Sequence, residues 1–375
     1  MILEFPNMKL FSTAILPAGR ATSFIRPSPE SEAHTFQTPA QTRWTEIAAA
    51  DLPKWCLRLV DVKNASIKQH PTFNERFRRP FVRPVYLKYQ DQAGNTSAFV
   101  CVVTMGFGVF RIGVVIDGPV ILGNSDGSDK ATAALVRWLR SRGYAFVRFT
   151  HRESIALQSL VTLANTVTGN SVPFVPVYGA ESAVRVDKED ALLLAGFQRI
   201  ARQEIRYARE AKCVLQRHSN ANHLRDLWQT FACRAKEKGF HLGRLKHYES
   251  IFAVSNREDL VRVYTAYYEG CPAYSVLIIR AREEAYPLMA TLNKSALGDR
   301  PSPCSFVHWN AMRDYRELGC NWYSFGSGRN KPCYAFKDKF QPVALPTPAT
   351  ITLVLRPAFY RTWKRIVLPA IRTMI

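Results

Sequence analysis

The chain has 375 residues, 47% of them hydrophobic and 12% aromatic, which describes a well-filled globular protein too long for one ordinary core. Its 51 Lys and Arg against 30 Asp and Glu leave a net charge of +21, and that excess favours polyanions: nucleic acid, nucleotide phosphates or an anionic membrane face. The 8 cysteines form no Cys-x-x-Cys pair, the 8 histidines have no metal-ligand spacing, and no run approaches the roughly 18 apolar residues of a membrane span. A disulfide scaffold, a zinc centre and an integral membrane protein are therefore not expected.

Residues 1–42 are rich in Pro, Ser, Thr and Gln and read as a loosely ordered lead-in. The apolar run at 10–16 faintly resembles an export signal, but Glu4 precedes it and Pro17 ends it, so a cytoplasmic location is expected. From 43 to 149 the text is mostly strand. Residues 85–89 alternate, 91–95 form a turn, and 98–104 and 110–116 are β-rich, with Gly106-Phe107-Gly108 as the hairpin turn between them. Asp117-Gly118-Pro119 breaks the next strand. A helix opens near 126–130 and runs to Arg142, Gly143 ends it, and 144–149 returns as a strand. Helical spacing marks 187–211 and 223–238. Strands follow at 260–268, 273–280 and 287–292, then a helix over 305–318, Gly319, and a strand over 322–325. From Gln341 onward there is no acidic residue.

Two stretches repeat at one offset. Arg137, Arg140, Gly143 and Phe149 recur as Arg313, Arg316, Gly319 and Phe325, and the same offset carries Gly94 onto Gly270 and the strand at 100–103 onto 276–279. Self-similarity at so long a period predicts a duplicated domain, not a solenoid.

Several features bear on charged ligands. The helix with Arg199, Arg202, Arg206 and Arg209 carries bases at three- and four-residue steps, either facing a phosphate-rich donor or forming a solvated face partly paired with Glu204 and Glu210. The segment 356–375 mixes five bases with Phe359, Tyr360 and Trp363, the composition of a helix that lies on an anionic bilayer or simply packs on the core. Residues 140–145 match an Arg-x-x-Gly-x-Ala coenzyme A loop, but the match closes a helix and enters a strand, whereas pyrophosphate binding needs a loop that opens a helix. It is rejected.

The second half resembles the Fem family of peptidyl- and aminoacyltransferases, within the wider group of double acetyltransferase-fold (GNAT-like) proteins. The resemblance rests on an ordered series over about 195–342: Trp228 and Phe231 on a helix, Gly239-Phe240, then Arg244 and Tyr248, strands joined by Glu269-Gly270, and Tyr286. His308-Trp309-Asn310-Ala311-Met312, the strand 322–325 with Gly326, and 334–340, similar to a closing Phe-Lys-x-x-Phe signature, complete it. Residues 80–150 match more loosely. The strand before Gly326 has Ser324 where the family usually has Asp.

The resemblance implies an α/β (α+β) fold of two tandem GNAT-like domains, each a mixed, mainly antiparallel sheet with flanking helices. The expected limits are a lead-in at 1–42, a first domain at 43–185, a second at 186–345 carrying the main site, and a basic tail at 346–375. It also implies transfer without a covalent nucleophile. Lys337, expected at the end of an aromatic-flanked strand, would stabilise charge during transfer. Arg244 and Tyr248, one helical turn apart, would line the acceptor site with Tyr286 and Phe336, and Arg202, Arg206 and Arg209 would face the donor.

The leading expectation is an acyl- or aminoacyltransferase, with acyl-coenzyme A or aminoacyl-tRNA as co-substrate, no permanently bound cofactor and no metal. Its acceptor would be an amine of an anionic nucleotide- or lipid-phosphate-linked envelope precursor, met in the cytoplasm or at the inner membrane face. The alternatives are a non-catalytic duplicated fold that binds RNA or an anionic glycan on a membrane, and an acyltransferase of exopolysaccharide assembly.

Overall fold

The structure, a computed structural model, describes residues 43–367 apart from 61, 63–64, 92, 108–109, 123–127, 152–173, 176–179, 239–241, 243, 256–258, 282, 327–330 and 347–348. The lead-in expected at 1–42, the end of the tail, Gly108 of the expected hairpin turn and Gly239-Phe240 lie outside the described residues, while Gly106 and Phe107 belong to a strand.

The first sheet begins with β1 (Arg43–Glu46), β2 (Val82–Gln90), β3 (Thr96–Phe107), β4 (Phe110–Ile116), β5 (Val120–Ile121), β6 (Tyr144–His151) and β7 (Phe174–Val175). The second contains β8 (Ala180–Arg185), β9 (Val214–His218), β10 (Val261–Tyr268), β11 (Cys271–Ala281), β12 (Glu284–Leu292), β13 (Trp322–Ser324) and β14 (Val343–Pro346). A last strand, β15 (Ala349–Val354), returns to the first sheet.

The two sheets correspond strand for strand. The first runs β1-β2-β3-β4-β6-β15-β7, with β5 beside β3, and the second runs β9-β10-β11-β12-β13-β8-β14. All pairs are antiparallel except β4 with β6 and β12 with β13. A parallel pair needs a crossover, and helices Ser128–Ser141 and Cys304–Glu317 supply it in the two halves. The repeated glycines sit at matching corners: Gly94 and Gly270 turn the first hairpins at φ +80° and +78°, and Gly143 and Gly319 end the crossover helices at +80° and +84°. Side chains rarely adopt that left-handed backbone, which is why the duplication stayed readable at these four positions.

Each half lends the other a strand. In both sheets the edge strand, β7 or β14, is followed in the chain by a strand that inserts into the opposite sheet. Thus β8 lies between β13 and β14, and β15 lies between β6 and β7. The stretch read as the first domain, 43–185, therefore gives its last strand to the second sheet, and the stretch read as a tail gives β15 to the first. Leu353 and Ile351 are fully buried there. Beyond β15, Tyr360 and Trp363 pack on Phe146 at centroid separations of 5.2 and 5.8 Å, while Arg361, Lys364 and Arg365 stay exposed. The aromatic face of the tail is thus spent on the core.

Residues 43–81 depart from the strand reading. A helix spans Leu52–Val60 and buries Leu52, Trp55, Cys56, Leu59 and Val60; Leu52, Trp55 and Leu59 pack against Tyr86 and Phe99. The three- and four-residue spacing of those apolar residues is a helical signal. Short helical turns follow at Ile67–Gln69, Pro71–Asn74 and Glu75–Phe77. The helix read over 187–211 is two helices, Asp190–Ala195 and Arg199–Glu210, separated near Gly196.

The second sheet is covered on both faces. Val276, Ile278 and Ala285 face helices Arg199–Glu210 and Cys304–Glu317. On the other face Leu277, Ile279 and Tyr286 pack on helices Ala221–Lys238 and Leu245–Ser255, and also on Val60, Ile67 and Phe73 of the first half. The turns at 66–77 are therefore built into the core of the second domain. Among the described residues no helix is long and apolar enough to cross a membrane.

Candidate active site between the two halves

The site begins with a buried polar scaffold. Ser66 caps the turn Ile67–Gln69 through the Lys68 amide and donates to Asp117 at 3.1 Å. Gln69 accepts from the Cys101 amide at 2.7 Å and donates to the Ile116 carbonyl. His70 bridges Thr72 and the Cys56 carbonyl, and Asn74 donates to the carbonyls of Lys68 and His70. These bonds replace a regular ladder and fix a short irregular segment inside the protein. Gly118 lets Gln69 approach, since a Cβ there would stand 2.6 Å from its side chain.

That segment carries Lys68 across to the second half. Lys68 is 5% exposed and Glu181, on β8, is 3% exposed. Their Nζ and carboxylate are in direct contact, and the Asp117 carboxylate lies 3.5 Å from the same Nζ.

One residue along from Glu181, the Ser182 amide donates to the Gly326 carbonyl at 3.3 Å. Lys337 Nζ donates to that same oxygen at 2.7 Å. Lys337 is 6% exposed. Burial holds its ammonium below the usual lysine range, against the opposing pull of Cys333 and Glu181. Tyr286 stands directly over the turn, 2.5 Å from where a Gly326 Cβ would be. Ser324 Oγ accepts from the Gly326 amide at 3.4 Å, so this serine supports the turn on which Lys337 rests.

Arg76 is the cation this arrangement leaves unsatisfied. Its guanidinium lies 3.8 Å from the Phe73 ring centroid and 4.6 Å from that of Phe77. Part of the side chain reaches the surface, but Nε and Nη2 are buried without a hydrogen-bond partner. Burial depresses its basicity; the phenols of Tyr286 and Tyr248 act the other way, and Arg79 adds to the depression. Tyr286 is itself held protonated by burial, with Arg76 and Lys68 opposing and Glu181 and Glu284 reinforcing. Arg79, with a buried unpartnered Nε, continues the basic line toward Tyr248.

The residues singled out in the sequence fall into three groups. Lys337, Tyr286 and Tyr248 border this cluster, but Lys337 lies on helix Lys331–Asp338, not at a strand end. The closing Phe-Lys-x-x-Phe text has the helical spacing that places Phe336 and Phe340 together, one turn apart. Tyr248 is buried on Trp228, 5.2 Å between rings, while Arg244 precedes the helix Leu245–Ser255 and is exposed. Phe336 is half-buried against His308 and Phe325, beside the site and not in it. Arg202, Arg206 and Arg209 are exposed on a helix that packs the opposite face of the second sheet from Tyr286, and Arg206 pairs with Glu210 at 3.4 Å.

Sequence reading passed over Lys68, Arg76 and Glu181, and gave Asp117 no role beyond the strand break at Asp117-Gly118-Pro119. The run Arg76, Arg78, Arg79 and Arg83 among aromatics was a legible basic cluster. Nothing in sequence links Lys68 to Glu181, 113 positions apart.

Comparison with known proteins agrees with the fold. Residues 195–338 match the acetyltransferase (GNAT) domain family. No curated protein sequence matches the chain. The crystal structure of FemX superposes with a TM-score of 0.67 at 13% identity, covering 85% of this chain and 99% of that one. L-PGS from Bacillus licheniformis gives 0.54 at 14% identity, covering 86% and 95%. The C-terminal domain of a putative lysylphosphatidylglycerol synthetase from Agrobacterium fabrum gives 0.53 at 13%, covering 84% and 98%. The chain is a tandem pair of acetyltransferase-fold domains, the architecture of FemX, with a buried cationic cluster where its two halves meet.

Proposed function

We propose that the protein is an acyltransferase that moves an acyl or aminoacyl group from an activated donor to an amine on an anionic acceptor. The observation that carries this reading is Lys337, a buried ammonium that donates to the carbonyl of the left-handed Gly326 under Tyr286, with Arg76, whose buried Nε and Nη2 lack partners, acting on the same tyrosine. The acetyltransferase-domain match over the half that holds Lys337 supports it.

The step is direct. The acceptor amine attacks the carbonyl carbon of an ester or thioester, a C–N bond forms, and the C–O or C–S bond breaks. The amine proton ends on the departing oxygen or sulfur. Charge gathers on the carbonyl oxygen in between, and an ammonium in a partly dry site stabilises that oxyanion more than it would in water. An ammonium has three donors. One holds the Gly326 carbonyl, which leaves Lys337 donor capacity for the oxyanion. Arg76 offers Nε and Nη2 side by side, the fork that suits a phosphate or carboxylate of the acceptor. Tyr286, whose hydroxyl lies beside Gly326 and which senses Arg76, supplies a protonated hydroxyl.

The donor fits aminoacyl-tRNA, which suits the +21 charge, or acyl-coenzyme A, which suits the fold. The acceptor fits a nucleotide- or lipid-phosphate-linked envelope precursor. The exposed bases Arg361, Lys364 and Arg365 suit contact with an anionic membrane face. The test is incubation of the purified protein with labelled aminoacyl-tRNA and acyl-coenzyme A pools and amine acceptors, with products read by mass spectrometry. The expected result is an amide product that Lys337→Ala abolishes. Stoichiometric RNA binding with no product from any donor would make the protein a binder instead.

A further inference from the structure

A cation of the first half and a tyrosine of the second meet on one ring. Phe73 lies in the short helical turn Pro71–Asn74, which His70 caps through the Thr72 amide, and it is 1% exposed. Arg76 and Phe77 follow it by three and four residues, the spacing that brings side chains onto one face. The Arg76 guanidinium accordingly lies 3.8 Å from the Phe73 ring centroid, and the Phe77 ring centroid lies 6.0 Å from it. Tyr286, on β12, meets the Phe73 ring edge-on at 5.6 Å. Glu75, the carboxylate next to Arg76 in sequence, is occupied elsewhere: it accepts from Arg78 at 2.7 Å and from Tyr86 at 2.9 Å.

We propose that Phe73 is a positioning residue: its ring holds the Arg76 fork open for a phosphate or carboxylate, and it couples the seating of that anion to the placement of Tyr286 over the Gly326 turn. A guanidinium stacked on an aromatic ring engages its face, and its N–H donors, which lie in its plane, stay available. Nε and Nη2 are such donors, buried without partners. A buried ring in contact with both groups has no free volume in which to absorb a shift of one without moving the other. Tyr286 abuts the Gly326 turn, and the carbonyl of that turn takes the Lys337 ammonium at 2.7 Å. An anionic acceptor seated on Arg76 is therefore sensed where the transfer takes place.

This role rests on the transferase reading, but its test needs no turnover. The protein is labelled with 15N-arginine and 13C-tyrosine, and the Arg76 Nε and Tyr286 ring resonances are assigned with Arg76→Met and Tyr286→Phe. Inorganic phosphate is then titrated at constant ionic strength and followed by NMR. Both resonances are expected to move with one midpoint. In Phe73→Leu the Arg76 midpoint should weaken about tenfold, and the Tyr286 resonance should no longer follow it. Phe77→Leu should weaken the midpoint while Tyr286 still follows. The Phe77 ring centroid lies 4.6 Å from the Arg76 guanidinium, but among the described residues it makes no ring contact with Tyr286. That contrast separates positioning from a general loosening of the core. Tyr286 following phosphate in Phe73→Leu as it does in the native protein overturns the proposal, as does an Arg76 resonance that phosphate leaves unmoved. If Phe73→Leu does not fold, Phe73→Met keeps more of the volume and carries the same expectation. Phe77→Leu decides without either, since a Tyr286 uncoupled there also overturns the proposal. If Lys337→Ala turns over normally, the transferase reading fails while the phosphate titrations still decide this one.

Discussion

Tyr286 and Gly326 are fitted to each other: the hydroxyl lies 2.5 Å from the position a Cβ on Gly326 would take, and the glycine backbone is left-handed at φ +65°. Both facts forbid a side chain there, and the carbonyl of the same residue anchors Lys337. Gly326→Ala should lower stability by roughly 1–3 kcal/mol through backbone strain and displacement of Tyr286. Turnover should fall further than stability explains, because both Tyr286 and Lys337 move. Urea unfolding beside a transfer assay checks this, and native turnover in the alanine variant would contradict it.

Lys337→Ala should reduce transfer by about 100-fold or more, the scale for loss of one oxyanion donor. The fold should persist, since the group removed is a buried charge whose desolvation works against folding. Lys337→Arg should recover little, because a planar fork cannot occupy the place of a point charge on the Gly326 carbonyl. Steady-state kinetics with matched circular dichroism spectra separates loss of chemistry from loss of fold.

Arg76→Met should divide binding from stability. The methionine keeps the packing between Phe73 and Phe77 and removes two buried nitrogens that lack partners. Stability of the free protein should hold or rise. The KM for an anionic acceptor should increase about tenfold, the value of about one charge-assisted hydrogen bond. A neutral acceptor analogue should show no such change. Equal effects on both acceptors would exclude Arg76 from anion recognition.

Stability should fall in mild acid because of two buried histidines. Burial lowers His70 to about 4 and His308 to about 3. Unfolded, each takes up a proton near its ordinary value of about 6.5. Between these limits the unfolded chain binds more protons, so stability is complete above about pH 6.5 and declines toward about pH 4. Each histidine contributes a slope of about 1.4 kcal/mol per pH unit in that window. Urea midpoints across the window measure it, and His308→Phe should make the decline shallower whatever it does at neutral pH.

The exchanged strands make the halves interdependent. Ending the chain at residue 346 removes β15, which β6 and β7 both need as a partner, and exposes the site of Leu353. The first half of that shortened protein should lose hydrogen-exchange protection while β10–β12 retain theirs longer, because unpaired central strands leave their backbone groups unsatisfied. Adding back a peptide spanning 347–375 should restore protection. Full protection without β15 would contradict the exchange.

The sequence by itself determined the duplication, the crossover units and most elements of the second half. Those features are local or periodic: apolar spacing, and glycines where the backbone must turn left-handed at Gly94, Gly143, Gly270 and Gly319. It also singled out Lys337, Tyr248 and Tyr286, of which the two tyrosines share one core cluster. Only the tertiary structure decided that β8 and β15 change sheets, that the arginine stripe at Arg202, Arg206 and Arg209 lies on the far face from Tyr286, and that Lys68 meets Glu181. Those outcomes depend on burial of groups far apart in the chain, and pairing energy between distant charges leaves no period in the text. The irregular turns at 66–77 were misread as strand in part for the same reason: besides local caps at Ser66 and His70, long-range hydrogen bonds to Cys101, Ile116 and Asp117 hold them.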